Sequence, residues 1–181
     1  MGRDGFGALS MRALARAVGM EAQSLYTYFA SKHAIFDAMF AEGNQTLIDR
    51  RRALKVPADP RQALHVMSRD MAAFCMGDAA RYQLLFERPI PGFEPSAQSY
   101  AIATEVLSDA RGRLAAAGFT EAGDLDLYTS AVRGLVGQQI SNEPGGTRWV
   151  KRLDEVLDML LDHLDAKKHQ KTRTGKKKKG S

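Results

Sequence analysis

Ser10-Met11-Arg12-Ala13-Leu14-Ala15-Arg16-Ala17-Val18-Gly19, followed by Met20-Glu21-Ala22-Gln23-Ser24-Leu25-Tyr26-Thr27-Tyr28-Phe29-Ala30-Ser31-Lys32, is the stretch on which the fold turns. Ser10 has the side chain of a helix N-cap, and Met11 to Ala17 follow it as a short helix with Leu14 and Val18 on one face. Gly19 stops that helix, because glycine enters the left-handed conformation of a tight turn without a Cβ penalty. A second short helix runs from about Ala22 to Phe29, with Leu25 and Phe29 at i, i+4 toward a core. Ser31 then caps a long helix from Lys32 to about Lys55, whose apolar positions are Ile35, Phe36, Met39, Phe40, Leu47 and Ile48.

Two short helices joined by a glycine turn, then a long connector, describe a helix-turn-helix. In that motif the second helix lies in the major groove and the first braces it. Small residues belong where the helices cross, and Ala13, Ala15, Ala17 and Gly19 are small. Leu14, Val18, Leu25 and Phe29 are the inward set. Gln23, Ser24, Tyr26, Thr27 and Tyr28 are short polar or aromatic residues on the face left for bases. Glu21, at the start of the second helix, either caps it or accepts from a cytosine amino group, and capping is the expectation.

The order and spacing of Gly5-Phe6, Ser10 to Ala15, Ala17 to Gly19, Leu25 to Phe29 and Ser31-Lys32 resemble the N-terminal pattern of the TetR family of regulators, over about residues 5–40. The resemblance implies an all-α protein with a DNA-binding head and a helical ligand-binding and dimerisation bundle. It also implies roles by position. Tyr26 and Lys32 match phosphate-holding positions, and Gln23, Ser24, Thr27 and Tyr28 match positions that meet base edges. Arg12 reaches either backbone or base. Phosphate contacts orient the protein and base contacts specify the site. Family members carry an entire helix before the Gly5-Phe6 position, and four residues precede it here. The expectation is a head lacking its first helix, which leaves Phe6, Leu9 and Leu14 short of apolar neighbours at roughly 1.5–3 kcal/mol per large side chain exposed.

The remaining chain reads as more helices. Asp59-Pro60 is a capped helix start, and the helix runs to about Met76 with Ala63, Val66, Met67, Met71 and Phe74 inward. Ala79 to Arg88 presents Tyr82, Leu85 and Phe86, and Pro89 to Pro95 is a loop by its proline spacing. Helices follow from Ser96 to Gly118 and from Gly123-Asp124 to near Asn142. Glu143 to Gly146 reads as a flexible break, and Thr147 as the cap of the last helix. That helix has the clearest stripe in the chain: Trp149, Leu153, Val156, Leu157, Leu160, Leu161 and Leu164, with Lys151, Asp154, Asp158 and Asp162 opposite. From Lys167 onward the composition is basic without apolar anchors, and disorder is expected.

The domains expected are therefore residues 1–43 as the head, with its connector to about 55; 57–166 as the ligand-binding and dimerisation bundle; and 167–181 as a basic tail. Arg81 to Phe86 followed by Pro89 to Pro95 resembles one subgroup of TetR-type bundles. That subgroup often carries Trp-His-Gly where this chain has Val132-Arg133-Gly134. Met67, Met71, Phe74, Cys75, Tyr82, Phe86, Phe93 and Tyr100 are candidate pocket walls, or ordinary core. Arg133, amid apolar neighbours, pairs with Glu87, Asp70 or an anionic ligand, or lies at the surface. Leu135, Val136 and Ile140, with Trp149, Leu153, Val156, Leu157, Leu160 and Leu164, are the candidate dimer interface. A twofold dimer implies a palindromic operator read one duplex turn apart, about 34–36 Å, or a multiple of it.

Charge supports this division. Residues 1–56 sum to +3, 57–166 to −6 and 167–181 to +8, so a basic head precedes an acidic body. The Lys176–Lys179 run is either a source of sequence-independent DNA attraction or a solvated end. With 44% hydrophobic residues the chain can bury a core, and with one cysteine it has no internal disulfide. No apolar run approaches a bilayer span and no signal sequence opens the chain, so a cytoplasmic protein without membrane contact is expected. His33, His65, His163 and His169 share no ligand spacing, and neither a phosphate loop nor a nucleophile elbow is present. An enzyme, a cofactor and a metal are thus not expected. The expected function is a dimeric repressor released from duplex DNA by a small-molecule effector. The alternative is a ligand-binding helical dimer with little DNA affinity.

Overall fold

A computed structural model of the chain describes residues 10–178. Those residues form eight α-helices and a short 3-10 turn, with no strand among them. The helices are α1 (Met11–Ala17), α2 (Ala22–Tyr28), α3 (Lys32–Ala53), α4 (Pro60–Gly77), α5 (Ala79–Phe86), α6 (Ala97–Ala116), α7 (Ala122–Asn142) and α8 (Leu153–Lys178), the last preceded by the 3-10 turn Val150–Arg152. No helix of the described residues is long and apolar enough to cross a membrane. The positions of Gly5, Phe6 and Leu9, on which the missing-helix expectation rests, lie outside the described residues.

Local chemistry starts the helices where the sequence indicates. Ser10 Oγ accepts from the Ala13 amide at 3.2 Å, Ser31 Oγ from Ala34 at 3.1 Å, Asp59 Oδ1 from Gln62 at 2.7 Å and Ser96 Oγ from Ser99 at 3.2 Å. Each bond satisfies an amide in a first helical turn that has no partner within its own helix.

Contacts gather the chain into two compact units that do not follow the linear division. One holds the chain up to Ala53 together with Asp78–Leu107; the other holds Leu54–Gly77 together with the chain from Ser108 onward. In the first unit α3 serves two apolar clusters. Ile35 joins Met11, Ala15 and Leu25, while Phe36 joins Leu84 and Ile90, and Met39 packs against both groups. At Gly43, α3 and α5 come so close that an added Cβ would lie 3.1 Å from a Leu85 methyl, and only glycine fits without a shift. Leu84 is buried and Leu85 only partly so, the reverse of their sequence assignment.

Asp37 of α3 supplies the polar tie of this unit. Its Oδ1 accepts from the Ser96 amide at 2.7 Å, and its Oδ2 accepts from the hydroxyls of Ser96 and Ser99, both at 2.9 Å. Burial pushes the Asp37 carboxyl up, but the bonds from the Ser96 amide and the two hydroxyls outweigh it and hold the group below its ordinary value.

In the second unit α4, α7 and α8 pack on one another. The buried residues are Leu64 and Met67 of α4, Val132 and Val136 of α7, and Leu153, Leu157, Leu161 and Leu164 of α8. Ser68 donates to the Leu64 carbonyl at 2.8 Å, which leaves its oxygen to accept from the Tyr128 hydroxyl, also at 2.8 Å. A buried polar pair is thereby satisfied.

The segment read as a flexible break is instead an ordered turn. Buried Gln139 accepts from the Trp149 amide at 2.8 Å and donates to the Glu143 carbonyl, while the Glu143 carboxylate accepts from the Arg148 amide at 2.9 Å. Thr147 consequently does not cap the last helix with its side chain. The entry into that helix is a 3-10 turn whose N-cap is Trp149, and the acceptor that replaces a cap is Gln139. The tail is a second correction, since α8 continues to Lys178 rather than ending at Ala166. Lys, Arg and Gln are good helix formers, and cations favour a helix C-terminus. Lys167 is also held 3.6 Å from the buried Asp124 carboxylate.

Because the folded state depresses the Asp37 carboxyl, its stabilising effect is present above the ordinary carboxylate pKa. It is lost as pH falls through the lower folded value. Asp37→Asn is expected to lower stability near neutral pH by about 1–2 kcal/mol, the worth of a charge-assisted hydrogen bond. The same variant should flatten the acid limb below about pH 4. Urea midpoints measured across that range for both proteins check the two outcomes.

Candidate nucleic-acid interface

The helix-turn-helix forms within α1, α2 and the start of α3. Gly19 has φ +70°, and around it the Met20 amide reaches back to the Ala15 carbonyl at 2.8 Å and the Gly19 amide to Arg16 at 3.2 Å. These bonds close the end of α1 and turn the chain into α2. The brace is made by Met11, Ala15, Leu25 and Ile35, all buried, with Leu14, Met20, Ala22 and Phe29 partly buried around them.

Val18 departs from the sequence reading. Its spacing places it inward beside Leu14, yet it is 62% exposed. The reason is local: α1 ends at Ala17 and Val18 is its C-cap, with φ −100° and ψ 8°, so the helical register that would aim it inward no longer holds. Met11, at i−4 from Ala15, takes the inward place. That residue is legible in the 3.6-residue period but is missing from the inward set read above.

α2 buries one side chain, Leu25, and half-buries Ala22. Gln23, Ser24, Tyr26, Thr27 and Tyr28 are all exposed, with Tyr28 at 73% and Tyr26 at 54%. The Thr27 hydroxyl donates only weakly, at 3.4 Å, to the Gln23 carbonyl, and remains open to other partners. Arg12 and Arg16 are exposed on α1. Lys32 is half-buried, with Nζ 5.8 Å above the Phe36 ring, a cation–π contact at the start of α3. Glu21 stands at the N-cap position of α2, but its carboxylate makes no capping hydrogen bond. Capping, the expected role, is therefore not what the structure shows.

The side chains proposed for a pocket divide by unit. Met67, Phe74 and Cys75 are buried and Met71 and Arg133 partly so in the second unit. Tyr82 is buried and Phe86 and Phe93 partly so in the first, where Tyr82 and Phe86 rings lie 5.7 Å apart. Tyr100 is 58% exposed on α6.

The dimer set needs correction. Val136, Leu153, Leu157 and Leu164 are at most 2% exposed and face their own monomer, where the α4–α7–α8 seam takes them. Leu135, Ile140, Trp149, Val156 and Leu160 remain partly exposed. Two residues not singled out by sequence are the most open apolar groups on these helices: Leu127 of α7 at 43% and Met159 of α8 at 68%. Met159 sits between Val156 and Leu160 in helical spacing, a signal hidden by the stronger leucine stripe beside it.

Comparisons with known proteins agree with this geometry. Residues 1–39 match the family model described as bacterial regulatory proteins, tetR family. Curated relatives include the HTH-type transcriptional regulators Mb1846 of Mycobacterium bovis and Rv1816 of Mycobacterium tuberculosis. Each is 28% identical over 107 residues, which is 57% of this chain and 46% of the relative. The chain thus matches about half the length of those proteins. Among solved structures, regulatory protein SCO4313 is similar with a TM-score of 0.67 and 19% identity, covering 90% of this chain and 87% of that one. The TetR family transcriptional regulator PfmR from Thermus thermophilus has a TM-score of 0.56 and 22% identity, covering 88% and 87%. At those identities the likeness is one of fold.

Gly19→Ala tests the turn on which the exposed face of α2 depends. An added Cβ meets no atom within 4 Å, so the cost is conformational alone. The expected loss is about 1–2 kcal/mol for a non-glycine residue held at positive φ, read as a lowered thermal midpoint with the helical circular dichroism of the folded state unchanged.

Proposed function

We propose that this chain, whose residues 1–39 match the tetR family model, belongs to that family and is a dimeric transcriptional regulator that binds a palindromic operator through α2. The observation that carries the reading is the division of α2 itself. Leu25 alone is buried, and every polar or aromatic residue from Gln23 to Tyr28 is exposed. A helix that presents Gln, Ser, Thr and Tyr side chains in a row offers donors and acceptors of the kind that read base edges and phosphates. Gln23, Ser24, Thr27 and Tyr28 take the bases, and Tyr26, Lys32 and Arg12 the backbone. Glu21, exposed and uncommitted to a cap, disfavours phosphate approach at the start of α2 and is free to accept from a cytosine amino group.

The dimer is assigned to the outward faces of α7 and α8. Leu127 and Gly134 on one, and Val156, Met159 and Leu160 on the other, form the apolar surface left after the core has taken its share. Four helices meeting across a twofold axis bury such a face on both copies at once. Release by a small-molecule effector, and repression as the outcome, rest on the family resemblance.

Selection of bound fragments from a random palindromic pool, followed by gel retardation at physiological salt, tests the DNA reading. Gln23→Ala or Tyr28→Ala should weaken binding to the selected site by about 1–3 kcal/mol and relax its sequence preference. Lys32→Ala should weaken all sequences alike and lower the salt-dependence slope by about one. Retention of full affinity by the Gln23, Thr27 and Tyr28 alanine variants together would falsify the assignment of α2 as the reader. Separately, Met159→Lys should convert the dimer to monomer in sedimentation analysis while the helical content stays the same; an unaltered dimer moves the interface elsewhere.

A further inference from the structure

Along the seam between α4 and α8 the two helices carry opposite charges at matching intervals. Arg61, His65 and Arg69 stand four residues apart on α4; Asp154, Asp158 and Asp162 stand four apart on α8, with Asp165 beyond. Arg61 bonds Asp162, reaches Asp165 at 3.2 Å and lies 3.7 Å from Asp158. Arg69 holds both oxygens of Asp154, at 2.8 and 2.9 Å. Between the two arginines lies His65, its side chain 13% exposed. Its Nδ1 is 3.0 Å from Asp154 Oδ1 and its Nε2 is 3.1 Å from Asp158 Oδ1.

Both ring nitrogens therefore face carboxylate oxygens. Neutral imidazole has one N–H and one lone pair, so either tautomer sets a lone pair against an anion at one of the two contacts. The imidazolium donates at both. We propose that His65 is a proton-operated clasp, closing the α4–α8 seam as an imidazolium bridging Asp154 and Asp158 and loosening it on losing that proton.

The groups around it favour this role. From α8 the facing charges are the two aspartates. From α4 itself the neighbours are Arg61 and Arg69, each already engaged with α8 carboxylates. From α7, packed on both helices, Tyr128 bonds Ser68 of α4, and Arg133 is the cation of α7 on the same stretch, partly buried. Burial pushes the Asp154 carboxyl up, but bonds from His65 and Arg69 and the Arg69 charge outweigh it and hold the group below its ordinary value. Asp154 thus stays anionic under conditions that protonate a histidine. The signs follow. The His65 contribution is present with the proton on and is lost when the proton leaves, because the neutral ring donates at only one of its two carboxylate contacts. The Asp154 contribution is present above the ordinary carboxylate pKa and is lost only in stronger acid.

The test is thermal unfolding of the full chain at constant ionic strength, with His65→Gln and Asp158→Asn beside the unaltered protein. Near about pH 6 the unaltered protein should melt about 2–4 °C above His65→Gln, the shift an interaction of this class gives in a chain of this size. That gap should close toward about pH 8, and Asp158→Asn should lose much of the pH dependence. Imidazole 15N spectra of the unaltered protein should show both nitrogens of His65 protonated on the acid side. A gap that stays constant with pH overturns the proposal, and so does a spectrum with a single N–H near about pH 6. If the histidine variant fails to fold, the spectrum of the unaltered protein decides alone.

Discussion

Leu25 sits on a helix of seven residues, two turns long, and the side of α2 that it buries determines where all its other side chains go. A helix this short has almost no stability alone and holds its shape only by packing. Met11, Ala15 and Ile35 close around Leu25, Ala15 because a larger residue would keep the two helices apart. Once that contact is made, the 100° step between residues turns Gln23, Ser24, Tyr26, Thr27 and Tyr28 into solvent together. The exposed face is a by-product of the buried one, and the functional reading stands on this packing.

α3 extends the same constraint through the first unit. Its Ile35 side completes the brace under α2, and its Phe36 side packs with Leu84 and Ile90, with Met39 shared by both clusters. Gly43 lets α5 approach closely and Asp37 ties the start of α6, so the support of α2 and the packing of residues 78–107 belong to one body. Apolar contacts hold it together with the Asp37 carboxylate, and the Arg52–Glu105 pair at 2.9 Å adds a second tie between α3 and α6. Asp37 fixes direction, since a carboxylate receiving three hydrogen bonds has few alternative orientations.

The second unit is built on the leucines of α8, and its polar seam is the less expected part. Aspartates placed opposite an apolar stripe ordinarily read as a solvated face. Here three of them meet Arg61, His65 and Arg69, which stand at the same four-residue interval on α4. Two helices with equal charge spacing line up in register, so one alignment brings several pairs within reach. Gln139 has a comparable part at the turn before α8, where one buried amide serves the carbonyls and amides of a connection that has no regular structure.

Sequence alone sufficed for most helices, for the serine and aspartate caps and for the glycine turn, because those depend on interactions within a few residues: a serine and the amide three positions on, a glycine at positive φ, apolar residues at helical spacing. It also sufficed for the exposed face of α2, since burying Leu25 leaves no other side of that helix to present. What only tertiary packing decided was the fate of residues whose periodicity fits two partners equally. Leu153, Leu157 and Leu164 share one stripe with Val156 and Leu160, and nothing local distinguishes those that a monomer's own helices bury from those left open. The same holds for the joining of residues 78–107 to the first unit, and for aspartates that found partners across a seam. Periodicity specifies that a face is apolar or charged; which surface meets it depends on contacts between residues far apart in the chain.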